Sequence, residues 1–319
     1  MSEVMNGYRL LAPFHNENAG MSRWTVAEKN NKKYFLKEFM NPVYPMDDSL
    51  PEYLRRQLLQ QCEADVKRRI RLYQAINSAS DGNAVRIGEF FRCDSHYYIQ
   101  TEMIPPEETV PLQNLGKLPF RERVFLCATI AKSMSKLHKA GVVHTDIKAS
   151  NILVKLSKER RPVGKIIDFD GGFFDSDPPV IGDEVGGDQI YLAPETCMFL
   201  MEEDVRLNHK LDTFALGILF HEYLTGAPPE FDRNEYYYVH EAVLDGGTVS
   251  VASDLPADIR GIIASMISGE PSMRPELEEV YTVFDKFENS FSPVIRDTPP
   301  PKPVHKPPVS PWFRPADDL

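Results

Sequence analysis

The chain has 319 residues and a formal net charge of −11. This length can bury a sizeable core and predicts one large lobe or two smaller lobes. The acidic balance argues against nucleic acid or an anionic membrane as the main partner, because both need clustered positive charge.

The cysteines and the N-terminal residues exclude further classes of protein. The four cysteines lie far apart, without a C-x-x-C pair, and predict neither a zinc site nor a disulfide framework. The first eleven residues lack a secretion signal, and no window approaches 18 consecutive apolar residues. We therefore expect a cytoplasmic protein without a membrane span.

The first third of the chain predicts a small antiparallel sheet with one helix. Five strand-like runs are separated by turn residues and cover 8–11, 23–27, 33–39, 85–92 and 96–103. From Glu52 to Ile76, apolar residues recur at three- and four-residue steps among charged ones, which predicts an amphipathic helix.

Beyond Pro105 the chain turns mainly helical. A helix is predicted from Phe120 to Ala140, with Gly141 as its left-handed cap. Later helices are predicted over residues 210–224, 235–244, 257–267 and 276–288.

A proline-rich segment follows from Pro293 and cannot bury a core. It contains Trp312-Phe313, an aromatic pair that is unusual in a linker. Two interpretations remain open: this pair docks on the chain's own body or on a partner, or the segment is disordered.

Three short motifs follow one another in the middle of the chain. They are His144-Thr145-Asp146-Ile147-Lys148-Ala149-Ser150-Asn151, Asp168-Phe169-Asp170 and Ala193-Pro194-Glu195. They resemble the catalytic loop, the magnesium-binding D-F-G and the A-P-E of protein kinases. Any one of them is weak evidence, but three in the right order within about fifty residues are hard to obtain by chance.

The resemblance implies a bilobal α+β fold, with a small antiparallel-sheet lobe plus one helix and a larger, mainly helical lobe. The small lobe would cover residues 1–104, the large lobe 105–290 and the proline-rich tail 291–319. It implies a serine/threonine protein kinase that uses ATP and Mg²⁺ and phosphorylates a protein substrate. Lys148, two residues after Asp146, resembles the lysine found at this place in serine/threonine kinases, and it favours that class over the tyrosine kinases. Without an appended sensor or membrane segment, the chain resembles a bacterial cytosolic kinase more than a receptor kinase.

The resemblance also assigns roles in phosphoryl transfer, which requires positioning and charge neutralisation. Asp146 would orient the proton of the attacking hydroxyl, and Lys148 would neutralise charge on the moving phosphoryl group. Asn151 and Asp168 would hold magnesium through hard oxygen ligands. Lys37, in Tyr34-Phe35-Leu36-Lys37, is similar to the lysine of V-A-I-K and would bind the nucleotide's phosphates.

Further roles concern nucleotide binding. The ion-pair partner of Lys37 is expected on the helix that begins at Glu52, with Glu63 as the first candidate and Asp65 as the alternative. The adenine site is expected to consist of Thr101 as gatekeeper, the backbone of Glu102 and Met103, and Leu153 as the floor. Gly20 is the one glycine of the expected glycine-rich loop.

Two residues have expected structural roles. Asp212, in Asp212-Thr213-Phe214-Ala215-Leu216-Gly217, resembles the aspartate that braces the catalytic loop. Arg274 resembles the arginine that pairs with the A-P-E glutamate, here Glu195.

The chain departs from the family pattern in its activation segment. Thr145 replaces the arginine that usually receives a phosphate. Between Phe169 and Ile190 the only hydroxyl side chain is Ser176, and acids supply negative charge. We therefore expect activity without phosphorylation of this segment, and a pairing of Asp188 with Lys148 is one option.

Other departures leave two alternatives open. The glycine-rich loop has lost two of its three glycines, and Phe35 replaces the small alanine that packs on adenine. Asp170, in place of the D-F-G glycine, resembles small-molecule kinases of the aminoglycoside and choline type. A pseudokinase scaffold that acts through the proline-rich tail is the second alternative.

Overall fold

The computed structural model describes residues 4–16, 22–47 and 49–290, and it places six strands in one antiparallel sheet. The spatial order is β1-β2-β3-β4-β6-β5. The strands are β1 (Val4–Met5), β2 (Tyr8–Leu10), β3 (Ser22–Lys29), β4 (Lys32–Phe39), β5 (Ile87–Cys93) and β6 (His96–Glu102). The predicted meander is confirmed for β2 to β4, while β6 lies between β4 and β5.

The two faces of this sheet are covered differently. One face carries a small cluster of buried apolar residues: Tyr8, Leu10, Ala27, Leu36 and Tyr98. The other face joins the main core through Phe39, Tyr97 and Ile99, and α1 (Glu52–Ala79) contributes Cys62, Tyr73 and Ile76 to that core. The predicted helix is confirmed and extends three residues beyond Ile76.

The second part of the described chain is mainly helical. Its helices are α2 (Leu112–Leu115), α3 (Phe120–Lys139), α4 (Pro194–Leu200), α5 (Lys210–Thr225), α6 (Val239–Leu244), α7 (Ala257–Met266) and α8 (Leu277–Ser290). Gly141 follows α3 with a φ of 76°, which confirms its predicted left-handed conformation. Thirteen of the sixteen residues of α5 are buried, so this helix forms the centre of the lobe. Within the described ranges no helix combines the length and apolar character needed to cross a bilayer.

Four short strands of this lobe were not predicted from the sequence. They are β7 (Val142–Val143), β8 (Ile152–Leu156), β9 (Pro162–Ile166) and β10 (Phe173–Phe174). β7 pairs with β10 and β8 pairs with β9, so the segments 144–151 and 167–172 are held side by side. Gly164 allows β9 to approach α3, because a Cβ at this position would lie 2.4 Å from the side chain of Ile130.

Helix α6 begins four residues later than predicted. Glu241 Oε2 accepts hydrogen bonds from the backbone N–H groups of Tyr237 (2.7 Å) and Tyr238 (3.1 Å), and these bonds fix the helix start at Val239. The bilobal α+β fold is nonetheless confirmed, with β6 ending just before the expected lobe boundary. The tail, with Trp312 and Phe313, lies outside the described residues.

Candidate active site

The start of α5 holds the segment 144–151 through one carboxylate. The backbone N–H of His144 donates to Asp212 Oδ2 at 2.8 Å, and that of Thr145 donates to Oδ1 at 2.9 Å. His138 Nε2 lies 3.0 Å from Oδ2. Burial raises the pKa of Asp212, but the hydrogen bonds and charge supplied by His138 and His144 outweigh it, so the pKa lies below its ordinary value. The predicted bracing role of Asp212 is confirmed.

Thr145 has a strained backbone conformation beside the Asp212 clamp, by which we mean the hydrogen bonds from the His144 and Thr145 N–H groups to the Asp212 carboxylate. Its φ of 76° lies in the left-handed region, which β-branched residues rarely adopt. Its hydroxyl lies against Gly171, where a Cβ would be only 2.7 Å from Thr145 Oγ1. Gly171 therefore makes room for the side chain of Thr145.

Asp146, Lys148 and Asn151 form one hydrogen-bonded group. Asn151 Nδ2 donates to the backbone oxygen of Asp146 at 2.8 Å and to its Oδ2 at 2.9 Å, and Lys148 Nζ lies 2.8 Å from the same Oδ2. Asp146 Oδ1 is buried and has no hydrogen-bond partner among the described residues. Both N–H groups of the Asn151 amide are used, so its oxygen remains the atom that can bind a cation.

Lys37 lies between two carboxylates. Its Nζ is 2.7 Å from Asp168 Oδ1 and 2.6 Å from Asp170 Oδ2, and the residue is 8% exposed. Burial lowers the pKa of Lys37, but Asp170 and Asp168 outweigh it and hold the pKa above its ordinary value. Burial raises the pKa of Asp170 despite the opposing charge of Lys37. Asp168 has a positive φ of 66°, in the left-handed region.

The prediction that Glu63 pairs with Lys37 is wrong. Glu63 is exposed to solvent on α1. The alternative candidate, Asp65, pairs with Arg69 at 2.6 Å and with Arg68 at 3.2 Å. The sequence did not identify Asp170 as the partner, because the expectation was drawn from a helix register after a long loop. The signal available in the sequence was a second carboxylate two residues after Asp168.

The residues predicted to bind adenine lie around the end of β6. Thr101 pairs with Phe35 of β4, and the Glu102 side chain accepts hydrogen bonds from Lys165 Nζ (2.5 Å) and the Arg86 N–H (2.7 Å). Met103 follows the strand, and Leu153 is half-buried on β8. Gly20 lies outside the described residues. Their contacts with a nucleotide stay predictions.

An aromatic pair covers the sheet beside Lys37. The rings of Trp24 and Phe35 stack with centroids 4.8 Å apart. Trp24 is the register partner of Lys37, and Phe35 precedes the lysine by two residues, so all three lie on the same face of the sheet. The sequence indicated a large ring at Phe35 but did not predict Trp24 as its neighbour.

The activation segment is held at both ends. Near its start, the Asp175 N–H donates to the Gly141 carbonyl at 2.8 Å, and Asp175 Oδ2 lies 2.8 Å from His209 Nδ1. At its end, Arg274 binds Glu195 through two contacts of 2.6 and 2.8 Å, which confirms that predicted pair.

The suggested pairing of Asp188 with Lys148 is wrong. Asp188 Oδ1 accepts a hydrogen bond from the N–H of Ile190 at 3.0 Å, while Lys148 is bound to Asp146. A local bond to a backbone group two residues on is common for aspartate in turns, and it removes the carboxylate from the lysine.

Comparisons with known proteins agree with this geometry. The model of the protein kinase domain matches residues 50–283, a range that begins after β4. An Aurora kinase of Saccharomyces cerevisiae is 33% identical over 152 residues, which are 47% of this chain and 38% of that protein. Aurora kinase C of Mus musculus is 28% identical over 200 residues, 62% of this chain and 67% of that protein. The serine/threonine-protein kinase PSK2 of Saccharomyces cerevisiae is 24% identical over 218 residues, 66% of this chain but 18% of that protein. The chain thus spans less than two fifths of the length of both yeast relatives.

Proposed function

We propose that this chain, which belongs to the protein kinase family, transfers the γ-phosphate of ATP to a serine or threonine hydroxyl of a protein in the cytoplasm. The observation that carries the proposal is the arrangement of two groups: Lys37 paired with Asp168, and Asp146 bonded to Lys148 and Asn151. The serine/threonine class is supported by Lys148 and by the similarity to the serine/threonine-protein kinase PSK2 of yeast.

The residues of this site fit magnesium and a nucleotide. The Asn151 amide oxygen and the Asp168 carboxylate are hard oxygen donors of the kind that Mg²⁺ prefers. These two side chains would hold magnesium, an ion that proteins commonly bind through one or two carboxylates. When bound, Mg-ATP supplies the phosphoryl group and a counter-charge for its oxygens.

The chain's own residues would act as follows. The Asp146 carboxylate, which is partly exposed, accepts the hydrogen bond of the acceptor hydroxyl and orients its oxygen. Lys148, already bound to Oδ2 of Asp146, is placed to stabilise negative charge on the transferring group. Lys37 binds the phosphates of the nucleotide. The proposed adenine contacts are Thr101, Glu102, Met103 and Leu153, with Gly20 in the loop above the phosphates.

The test is incubation of the protein with labelled ATP, magnesium and a mixture of basic and acidic proteins. Asp146→Asn and Asp168→Asn should each lower phosphorylation about a thousandfold, because they remove the hydroxyl-orienting carboxylate and a metal ligand. Lys37→Met should behave similarly. Asp258→Asn, which changes an exposed aspartate of α7, is the matched control. Retention of most activity by Asp146→Asn or Asp168→Asn would refute the assignment.

A pseudokinase scaffold is the second candidate, and the stacked Trp24 and Phe35 rings favour it. These rings lie on the same face of the sheet as Lys37, where a small side chain would leave more room for adenine. Binding of Mg-ATP without turnover by the unmodified protein would support this candidate. Transfer of label to an aminoglycoside or choline, but to no protein, would support a small-molecule kinase.

A further inference from the structure

The charge pairing around Lys37 differs from the one expected from the sequence. Lys37 has two anionic partners at nearly equal distances, Asp168 at 2.7 Å and Asp170 at 2.6 Å. Asp168 is also the carboxylate proposed to hold magnesium. A lysine that is 8% exposed needs a counter-ion, and Asp170 is the partner that has no second proposed task.

Helix α1 places a positive charge against β4, the strand that carries Lys37. Arg69 binds Asp65, one turn earlier on the helix, at 2.6 Å, and its guanidinium lies 4.0 Å from the centre of the Phe39 ring. The Arg69 side chain is 13% exposed, and Phe39 follows Lys37 by two residues on the same face of the sheet. Arg69 is therefore held between Asp65 of α1 and Phe39 of β4, on the face of β4 that carries Lys37.

We propose that Asp170 is the positioning residue that holds Lys37, in place of an acidic residue on α1, and that Arg69, packed on Phe39 of β4, supports this pair from α1. The inference rests on the proposed function for its catalytic meaning, but the pairing itself concerns nucleotide binding. Asp170 keeps Lys37 in place when Asp168 serves as a metal ligand.

The same turn has little room for another arrangement. Phe169 is buried and packs on the His144 ring, with the two ring centroids 4.5 Å apart, and this contact fixes the chain just before Asp170. Just after it, a Cβ at Gly171 would lie 2.7 Å from Thr145 Oγ1, and a Cβ at Gly172 would lie 3.0 Å from the carbonyl oxygen of Val143. The backbone on both sides of Asp170 is therefore packed against the β7 strand and the catalytic loop, which directs its carboxylate consistently.

The first experiment replaces Asp170 and measures both nucleotide binding and turnover. Asp170→Asn keeps the shape of the side chain and removes its charge, so the dissociation constant of Mg-ADP and the KM for ATP should rise about tenfold or more. Asp170→Glu, which restores a carboxylate, should recover part of this loss. Asp177→Asn, an exposed aspartate of the same segment, and Glu63→Gln are the controls and should stay within about twofold of the unmodified protein.

The second experiment tests the link to α1 with a double-mutant cycle. Arg69→Met should weaken Mg-ADP binding several-fold in the unmodified background and have little further effect in the Asp170→Asn background. Arg68→Met is the matched control, because Arg68 also contacts Asp65 but is half exposed. Thermal melting of every variant checks that the fold is retained.

The outcomes separate this inference from the proposed function. If Asp170→Asn binds Mg-ADP like the unmodified protein, or if Glu63→Gln is impaired as strongly as Asp170→Asn, the inference is overturned. Equal losses from Arg69→Met in both backgrounds would overturn the link to α1. If the unmodified protein transfers no phosphate but Asp170→Asn still weakens Mg-ADP binding, the inference stands and the kinase proposal fails.

Discussion

Replacing Asp212 by asparagine should loosen the catalytic loop without unfolding the protein. The carboxylate accepts hydrogen bonds from two backbone N–H groups and lies 3.0 Å from His138. An amide has one oxygen, so at least one buried N–H would face an NH₂ group. Hydrogen bonds to charged groups contribute about 1.5–3 kcal/mol each, and an unsatisfied buried donor adds a cost, so we expect a loss of about 3 kcal/mol. This is well below the stability of a typical domain, about 5–15 kcal/mol.

The same substitution should slow catalysis, because Thr145 is held at a φ of 76° by the clamp. Such strain is worth about 1–3 kcal/mol, and its release would move Asp146, the next residue. A shift of this kind should lower kcat about ten- to a hundredfold. The assay is urea unfolding together with steady-state kinetics. Asp245→Asn is the control, because the carboxylate of this exposed aspartate accepts a hydrogen bond from the Tyr236 hydroxyl at the surface.

The pH dependence gives an independent check on the clamp. The pKa of Asp212 lies below its ordinary value, so its contribution to stability is complete above about pH 4 and is lost as the pH falls through the folded-state pKa. The difference in unfolding free energy between the unmodified protein and Asp212→Asn should therefore narrow in acid. A loss of stability below about 1 kcal/mol at neutral pH, with unchanged kcat, would refute the reasoning.

Two further predictions concern segments outside the cleft. Truncation after Ser292 should leave phosphorylation of a generic substrate unchanged and should weaken a docking contact made by Trp312 and Phe313. Activity assays and binding of the isolated tail peptide measure these two effects. Unfolding of the truncated protein would contradict the prediction. Phosphatase treatment and Ser176→Ala should leave the rate unchanged, because a phosphate beside Asp175 and Asp177 would be repelled. A large drop in rate in either case would reveal a phosphorylation switch.

Much of the fold was predictable because its long elements repeat their apolar residues regularly. Helices α1 and α3 and the strands β3 and β4 are long enough for periodicity to define them. The pairs β7–β10 and β8–β9 were missed because two to five residues carry almost no periodic signal. Their formation depends on packing between distant segments, such as Gly164 against Ile130.

The candidate site was predictable where one motif holds neighbouring residues, as in Asp146, Lys148 and Asn151. The site was less predictable where the contacting residues lie on different elements. The expected partner of Lys37 depended on how α1 is rotated, and the observed rotation places Asp65 against Arg69 and Glu63 in solvent. Residue spacing alone does not determine such a rotation after a loop of twelve residues.

The burial of α5 has a consequence for mutational screens. Nearly every side chain of this helix, including Phe214, Leu216 and Phe220, is enclosed by the core, and its first turn carries Asp212. Substitutions along α5 should therefore reduce the amount of folded protein in cells as well as its specific activity. A variant found only by its loss of signal cannot be assigned to the chemistry until its abundance is measured. Substitutions at Asp146, which is partly exposed and outside the core, should separate the two effects cleanly.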